Sequence, residues 1–369
     1  MLNALQNLSS LGTSVWLDDL SRSRLINPES DSSLKNLIEN FSVVGVTTNP
    51  SIFDNALKDS QTYAEAFAAL KKAGASVDQA IRKVTTTDVR DACDLLLNTF
   101  RKTQGIDGRV SIEVDPRLAH KTQETIYQAR ELWKEVGREN LFIKVPATLA
   151  GLPAIELLIS EGISVNVTLI FSTERYEKVL LAYVSGLEKR LATGADVSKI
   201  QSVASFFVSR VDTAIDPILD RISSENAAPL RGKAAVANAH LAYEIFLSFS
   251  QSDRWKKLAT SGAWPQRLLW ASTGVKDPTY SKDKYVTELA APLTVNTMPE
   301  ATLRAVHDLD PVFRDSISTE IMNAHIVLSD LSNLGIDYNK IVNDLEVDGI
   351  KKFEESWHHL LQTVEQALA

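Results

Sequence analysis

Short runs rich in Val, Ile and Leu alternate along this chain with longer segments whose apolar residues recur every three or four positions. This alternation is typical of βα units, in which helices connect parallel strands. Strands are predicted at residues 14–18, 43–47, 110–113, 141–145, 163–168, 202–206, 268–272 and 293–296. Eight strands in this order predict a closed (β/α)8 TIM barrel of the α/β class.

The segments between the strands indicate helices that pack on the barrel. Apolar stripes such as Tyr63 with Phe67 have helical spacing. Residues 210–267 hold helical patterns without an obvious strand, so we expect extra helices inserted between strands 6 and 7. Residues 339–369 predict a C-terminal helix that either caps the barrel or packs beside it. Since no repeat, linker or composition shift marks a boundary, residues 1–369 are expected to form a single barrel domain.

Polar side chains gather on one face of the predicted strands. Successive strand residues point to opposite faces, so alternate positions share a face. This rule groups Trp16 with Asp18, Gly45 with Thr47 and Asn49, Ser111 with Glu113, Phe142 with Lys144, Ser164 with Asn166 and Thr168, Val203 with Ser205, and Trp270 with Ser272. A single polar residue at a strand end usually marks a loop boundary. Recurrence over seven strands instead predicts a shared site at the C-terminal ends, where TIM-barrel active sites lie.

Lys144 is the most informative single position. It lies within the apolar run LFIKVP at residues 141–146. A lysine is rarely buried without a partner, and burial favours the neutral amine that acts as the nucleophile in Schiff-base chemistry. The pattern therefore predicts a covalent catalyst. At this point the alternative of an edge-strand lysine that discourages pairing with another chain stays open.

The polar set contains the other groups that Schiff-base chemistry needs. A neutral Lys144 attacks a ketone, and the carbinolamine that forms loses water with the help of a positioned acid and base. Glu113 and Thr168 could hold a water molecule for this proton transfer. Asp18, on another strand, could accept a hydroxyl proton while a carbon–carbon bond breaks. Together these residues predict Schiff-base chemistry that breaks a carbon–carbon bond.

Two amides complete this set. Asn49 and Asn166 are suited to fixing sugar hydroxyls, because an amide donates and accepts hydrogen bonds without acting as a base. Structural alternatives exist for several of these residues. Glu113 could pair with Arg109, Asp18 could cap the next helix, and Asn49 precedes a proline, as is common in turns. Taken singly, the structural alternative is the stronger one for Asn49 and for the neighbouring Asp19 and Asp115, but together these alternatives leave the shared polar face unexplained.

Composition excludes several classes of function. A chain of 369 residues with 44% hydrophobic residues can bury a large core, and its net charge of −8 argues against a general nucleic-acid-binding role. The single cysteine, Cys93, supplies neither a disulfide framework nor a thiolate metal cluster. We find neither a secretory signal nor a membrane-spanning run in the sequence, and we expect a cytoplasmic protein.

Five runs, in the same order along the chain, resemble the transaldolase family. The two signature runs are GVTTNPS at residues 45–51 and IKVPAT at 143–148. The others are RVSIEVD at 109–115, VNVTLIFS at 165–172 and SFFVSR at 205–210. The later run WASTGVK at 270–276 resembles a longer bacterial subgroup of this family. Five ordered matches are specific, whereas the Thr-Asn-Pro piece alone would be weak.

The resemblance implies a class I enzyme that uses neither metal nor cofactor. Such an enzyme transfers dihydroxyacetone from sedoheptulose 7-phosphate to glyceraldehyde 3-phosphate, which gives erythrose 4-phosphate and fructose 6-phosphate in the non-oxidative pentose phosphate pathway. By position, the family pattern implies the following roles: Lys144 forms the Schiff base, Asp18 is the acid and base at the cleaved bond, Glu113 and Thr168 hold the relay water, and Asn49, Asn166 and Ser205 bind the dihydroxyacetone part.

The expected phosphate site departs from the family pattern. Arg210 and Ser272 match phosphate contacts, but the second arginine of many members, two residues beyond that serine, is Gly274 here. Lys276 could replace it as a point charge, although an ammonium lacks the planar fork of a guanidinium. The equal alternative is that Lys276 is a solvated loop residue.

Two other functions are compatible with the sequence. A fructose 6-phosphate aldolase of the same superfamily releases dihydroxyacetone instead of transferring it, but such enzymes are shorter and lack the relay glutamate that Glu113 resembles. A catalytically silent barrel could bind sugar phosphates, yet a binding protein needs no nucleophile. The resemblance implies phosphorylated sugars as partners, with no nucleic acid or membrane, and a monomer or homodimer.

Overall fold

Eight parallel strands form a closed barrel in which each strand is bonded to its neighbours in chain order. The computed structural model describes residues 2–309 and 313–369. The strands are β1 (Thr13–Leu17), β2 (Gly45–Val46), β3 (Arg109–Glu113), β4 (Leu141–Pro146), β5 (Val165–Ile170), β6 (Ser202–Phe207), β7 (Arg267–Ala271) and β8 (Thr294–Met298). The predicted TIM barrel is therefore confirmed, and no strand end differs from its predicted position by more than two residues.

Helices surround the barrel and connect its strands. They are α1 (Ala4–Leu11), α2 (Arg22–Ile26), α3 (Leu34–Asn40), α4 (Pro50–Leu57), α5 (Ser60–Lys72), α6 (Val77–Lys102), α7 (Thr122–Val136), α8 (Gly151–Glu161), α9 (Thr173–Ala192), α10 (Ser209–Leu219), α11 (Ala234–Ser250), α12 (Asp253–Thr260), α13 (Lys284–Thr287), α14 (Glu300–His307), α15 (Ile321–Asn333) and α16 (Tyr338–Leu368). Short 3-10 helices occupy Pro116–Leu118 and Ala228–Leu230. Since α10, α11 and α12 lie between β6 and β7, the predicted insertion is confirmed.

The interior of the barrel is packed with large side chains, as in other small parallel barrels. Trp16, Phe142, Val203, Leu269 and Val295 form a buried cluster there, contributed by five different strands. The opposite faces of the strands pack beneath the helices in a second, larger cluster. The interior cluster lies beneath the polar residues at the C-terminal ends of the strands.

One predicted face is wrong, on β7. Trp270 does not share the interior face with Ser272, because its ring packs edge-on against Phe206 and its Nε1 donates to the Leu289 carbonyl oxygen at 2.9 Å. The interior positions of β7 are Leu269 and Ala271. Ser272 follows the strand with a φ of 55°, so the alternation of strand residues does not extend to it.

The C-terminal helix closes the mouth of the barrel, so the capping alternative is the correct one. Its buried residues Ile350 and Phe353 join the interior cluster. Gly349 lets the helix approach closely, since a Cβ there would lie 3.1 Å from Leu169 Cδ2. A hydrogen bond of 2.7 Å between the Ser51 and Ser356 hydroxyls ties the helix to α4. The contacts place α16 directly over the strand ends.

Candidate active site

Strand register places three polar residues side by side inside the barrel. Lys144 on β4 lies opposite Glu113 on β3 and opposite Asn166 on β5. Only 4% of Lys144 and 7% of Glu113 are exposed. Lys144 Nζ lies 3.2 Å from Glu113 Oε2 and donates to the Thr48 carbonyl oxygen at 2.8 Å. Because β4 is bonded to strands on both sides, the edge-strand alternative for Lys144 is wrong.

The alternative partner for Glu113 is also wrong. Arg109 lies between the rings of Phe100 and Phe142, with its guanidinium carbon 4.8 and 4.9 Å from their centroids. Its Nε donates to the Gly105 carbonyl oxygen at 2.8 Å, away from the mouth of the barrel. Glu113 is thus left to interact with Lys144.

Glu113 and Thr168 present unused polar atoms close to the lysine. Burial raises the pKa of Glu113 above its ordinary value, although the nearby Lys144 charge opposes that rise. Glu113 Oε1 and the Thr168 hydroxyl are buried and lack a hydrogen-bond partner within the described part of the chain, whereas Glu113 Oε2 has the Lys144 ammonium at 3.2 Å. Buried polar atoms normally find a partner, so unsatisfied ones beside a buried amine are typical of a site that exchanges protons.

Asp18 lies at the C-terminal end of β1, held by a threonine. The Thr47 hydroxyl donates to Asp18 Oδ1 at 2.6 Å and lies 2.6 Å from the Thr297 hydroxyl. Burial raises the pKa of Asp18, while the Thr47 hydrogen bond and the Lys144 charge act in the opposite direction. The helix-cap alternative is not observed. Thr297 was not predicted, although it shares the interior face of β8 with Val295 by simple alternation.

The amides and Ser205 have different positions. Asn49 is the N-cap of α4, where its side-chain oxygen accepts from the Ile52 N–H at 3.0 Å. Asn166 is fully buried: its Nδ2 donates to the Ser111 hydroxyl at 3.0 Å and its Oδ1 accepts from Ser205 at 2.7 Å. Asn49 therefore serves as a helix cap and also lines the pocket, whereas Asn166 lies behind Ser205.

Arg210 and Lys276 add two basic side chains to this group of residues. Arg210 is the second residue of α10, and its guanidinium carbon lies 5.3 Å from the centroid of the Phe207 ring. Partial burial lowers the pKa of Arg210, and the negative charge of Asp348 on α16 opposes this shift. Lys276 Nζ lies 4.0 Å from the position that a Cβ at Gly274 would occupy. The Lys276 ammonium thus lies close to the Cβ position from which an arginine side chain at position 274 would extend.

These groups line one pocket of about 190 Å³ at the C-terminal end of the barrel. Its predicted lining residues are Asp18, Asn49, Lys144, Thr168, Ser205, Arg210, Ser272 and Lys276. Glu113 and Asn166 lie behind this surface, in contact with Lys144 and Ser205. Residues that were not predicted are Ser51, Phe207, Ala271, Thr297, Pro299 and Phe353. Phe353 comes from the capping helix, so no strand pattern could have placed it there.

Comparison with known proteins decides the family. The model of the transaldolase/fructose-6-phosphate aldolase family matches residues 15–364. This chain belongs to that family. The transaldolase of Mycobacterium tuberculosis (strain ATCC 25618 / H37Rv) is 57% identical over 356 residues, which is 96% of this chain and 94% of the relative. The transaldolase of Mycolicibacterium smegmatis is 56% identical over 361 residues, with 98% and 96% covered. That of Parafrankia sp. is 51% identical over 368 residues, with 100% and 99% covered.

Membership of the transaldolase/fructose-6-phosphate aldolase family agrees with the five sequence runs, which all contribute to the pocket or its immediate surroundings. Within the described residues, no group of three or more His, Cys, Asp or Glu side chains could hold a metal ion. Over the same residues, no helix has the length and apolar character that crossing a membrane requires.

Proposed function

We propose that this protein is a transaldolase that transfers dihydroxyacetone from sedoheptulose 7-phosphate to glyceraldehyde 3-phosphate, in the cytoplasm. The observation that carries the proposal is a buried lysine that shares one small pocket with two further basic residues. Lys144 supplies an amine for a ketone, and Arg210 with Lys276 supplies positive charge for a phosphate. Family membership and near-complete coverage by relatives named transaldolase support the same reaction.

Lys144 acts as the nucleophile in this reaction. Its neutral amine attacks the ketone carbon of the donor sugar, and the carbinolamine then loses water to give an imine. Glu113, whose Oε2 lies 3.2 Å from Nζ, is close enough to take part in the required proton transfers. The Thr168 hydroxyl assists Glu113 by orienting a water molecule. Transfer of a proton from the Lys144 ammonium to Glu113 gives the neutral amine that this attack requires.

Asp18 accepts the proton of the hydroxyl group on the carbon that becomes the aldehyde carbon when the carbon–carbon bond breaks. Electrons of that bond flow to the nitrogen of the protonated imine, the aldehyde product leaves, and a neutral three-carbon enamine stays on Lys144. When the acceptor aldehyde binds, the enamine attacks its carbonyl carbon and Asp18 returns the proton. Hydrolysis of the new imine then frees the product. Each step balances without an external oxidant or metal.

The transfer reaction is tested by product analysis. Purified protein is incubated with sedoheptulose 7-phosphate and glyceraldehyde 3-phosphate, and the sugar phosphates are followed by mass spectrometry. We expect erythrose 4-phosphate and fructose 6-phosphate in equal amounts. Release of free dihydroxyacetone at the rate at which the donor is consumed would instead indicate an aldolase. No reaction, from protein that still binds sugar phosphates, would favour the silent barrel.

Arg210 should matter only for phosphorylated substrates. Loss of a charge-assisted contact to phosphate costs enough to weaken binding about 10- to 100-fold, so Arg210→Ala should raise the KM for fructose 6-phosphate by about that factor. Trapping of dihydroxyacetone by borohydride should change little, because this ligand has no phosphate. The matched control is Arg138→Ala, which removes a partly exposed arginine paired with Asp94 at 2.6 Å. Equal losses for both ligands would make Arg210 structural.

The pH dependence of the reaction should report Asp18. As a base, Asp18 must be ionised, so kcat/KM should fall as the pH drops through its raised pKa. Thr47→Val removes the hydroxyl that stabilises the carboxylate, and should move this acid limb to higher pH by about 0.5–1 unit. Rates are measured from pH 4 to 9 for both proteins. An unmoved limb in Thr47→Val would assign it to another group, such as Glu113.

A further inference from the structure

Lys276 lies on a long connection, so the position of its side chain depends on how that connection is held in place. The segment between β7 and α13 runs over residues 272–283 and has no helix or strand. Lys276 is exposed along most of its length, although it lines the pocket. A lysine side chain has several rotatable bonds, so an unanchored loop would leave its ammonium poorly placed for a phosphate.

Two residues that follow Lys276 bind firmly to neighbouring parts of the chain. Asp277 accepts from Arg231 at 2.7 Å, and it also accepts from the Thr279 N–H at 2.9 Å, which shapes the turn. Tyr280 donates its hydroxyl to Asp216 at 2.7 Å. The loop is therefore bonded at both ends of the turn from Asp277 to Tyr280, which directly follows Lys276.

The acceptor of the Tyr280 bond lies on the helix that carries Arg210. Asp216 is 5% exposed, and its second oxygen accepts from the Gly232 N–H at 3.0 Å. One turn earlier on α10, Asp212 is 1% exposed and accepts from the Tyr285 hydroxyl at 2.7 Å. Both carboxylates face the same side of α10, because they are four residues apart. Tyr280 of the β7–α13 connection and Tyr285 of α13 thus both bond to one side of the Arg210 helix.

Packing restricts Tyr280 further. A Cβ at Gly232 would lie 2.8 Å from the Tyr280 ring carbon that bears the hydroxyl, so the tyrosine ring packs closely against this glycine. Gly232 also has a φ of 67°, which favours glycine. The residues around Tyr280 are therefore arranged to bring its hydroxyl to Asp216.

We propose that Tyr280 and Asp277 are positioning residues that hold the Lys276 ammonium at a fixed distance from Arg210, so that the two cations bind one sugar phosphate. This inference rests on the proposed function, in which Lys276 supplies positive charge for the phosphate. A lysine on a connection without helix or strand needs such an anchor, because its side chain has several rotatable bonds. Tyr280 itself does not touch the substrate.

Tyr280→Phe tests the proposal, since it keeps the ring and removes only the hydroxyl. We expect the KM for fructose 6-phosphate to rise about fivefold, as for loss of one hydrogen bond, with kcat within about twofold of the parent value. The matched control is Tyr183→Phe, which loses a bond of 2.7 Å to the Trp264 carbonyl oxygen ahead of β7 and should leave the KM unchanged. Thermal unfolding is measured for both variants.

A double-mutant cycle separates positioning from a general loss of stability. If Tyr280 acts through Lys276, then Tyr280→Phe should have no further effect on the KM in a Lys276→Met background. The same fivefold rise in both backgrounds would overturn the proposal. An unchanged KM in Tyr280→Phe alone would also overturn it. Asp277→Asn, which weakens the contact with Arg231, should raise the KM in the parent and not in Lys276→Met.

Binding of a phosphate compound without a carbonyl distinguishes this inference from the proposed reaction. Glucitol 6-phosphate cannot form a Schiff base, and its affinity is measured by calorimetry beside that of unphosphorylated glucitol. Weaker binding of glucitol 6-phosphate to Tyr280→Phe, with no transfer reaction in the parent, would uphold the anchor and reject the transaldolase. Equal binding to parent and Tyr280→Phe would reject the anchor even if the parent is an active transaldolase.

Discussion

Lys144→Ala should abolish covalent capture of the donor sugar and lower turnover by about 10³-fold or more, because Lys144 is the buried amine beside Glu113, whereas Lys276, the other lysine that lines the pocket, is exposed. Borohydride is added to protein and fructose 6-phosphate, and the digested protein is mapped by mass spectrometry. The parent should carry a dihydroxyacetone adduct on the peptide that contains Lys144, and the variant should carry none. The fold should survive, since Glu113 has a raised pKa and can take up a proton once its partner is gone.

The matched control for this experiment is an ordinary surface lysine. Lys178→Ala removes an exposed amine that contacts Glu174 at 2.7 Å, and its adduct and turnover should equal those of the parent. Circular dichroism and thermal unfolding of Lys144→Ala establish that the protein is folded. Undiminished capture in folded Lys144→Ala, at another lysine, would remove Lys144 from its role.

The barrel could be predicted from the sequence because each strand carries a local signal. Runs of Val, Ile and Leu separated by helical stripes identify eight parallel strands, and eight such units close on themselves. Alternation then predicts which residues share the interior. It placed Glu113, Lys144 and Asn166 together, and the register of β3, β4 and β5 brings these three to one level. The chemistry of the site followed from the residue types at those positions.

The faces of β7 and the contribution of α16 to the pocket were not predicted correctly from the sequence, for different physical reasons. Alternation holds only within a strand, so it failed at Ser272, where the backbone adopts a φ of 55° beyond the end of β7. Trp270 was consequently assigned to the wrong face. Phe353 was missed because it reaches the pocket through the docking of α16, which depends on contacts between residues far apart in sequence. Periodicity predicted that helix but could not select between its two positions.

Asp18→Asn should leave imine formation largely intact and block the breaking of the carbon–carbon bond. An amide cannot accept the hydroxyl proton, so turnover should fall by about 10²- to 10⁴-fold, the usual contribution of a general base. The fold should be preserved, because an asparagine oxygen can still accept the Thr47 hydroxyl, which lies 2.6 Å from Asp18 Oδ1. Under borohydride with fructose 6-phosphate, the adduct on Lys144 should therefore keep all six carbons and the phosphate.

The mass of the trapped adduct makes this outcome easy to distinguish from the parent, which should hold only three carbons and no phosphate. Asp19→Asn is the matched control: the neighbouring carboxylate contacts Arg24 at 2.5 Å, and it does not line the pocket. It should give the three-carbon adduct and full turnover. A three-carbon adduct from Asp18→Asn would mean that another group takes the hydroxyl proton, and Glu113, the nearest other carboxylate to Lys144, would then be the candidate.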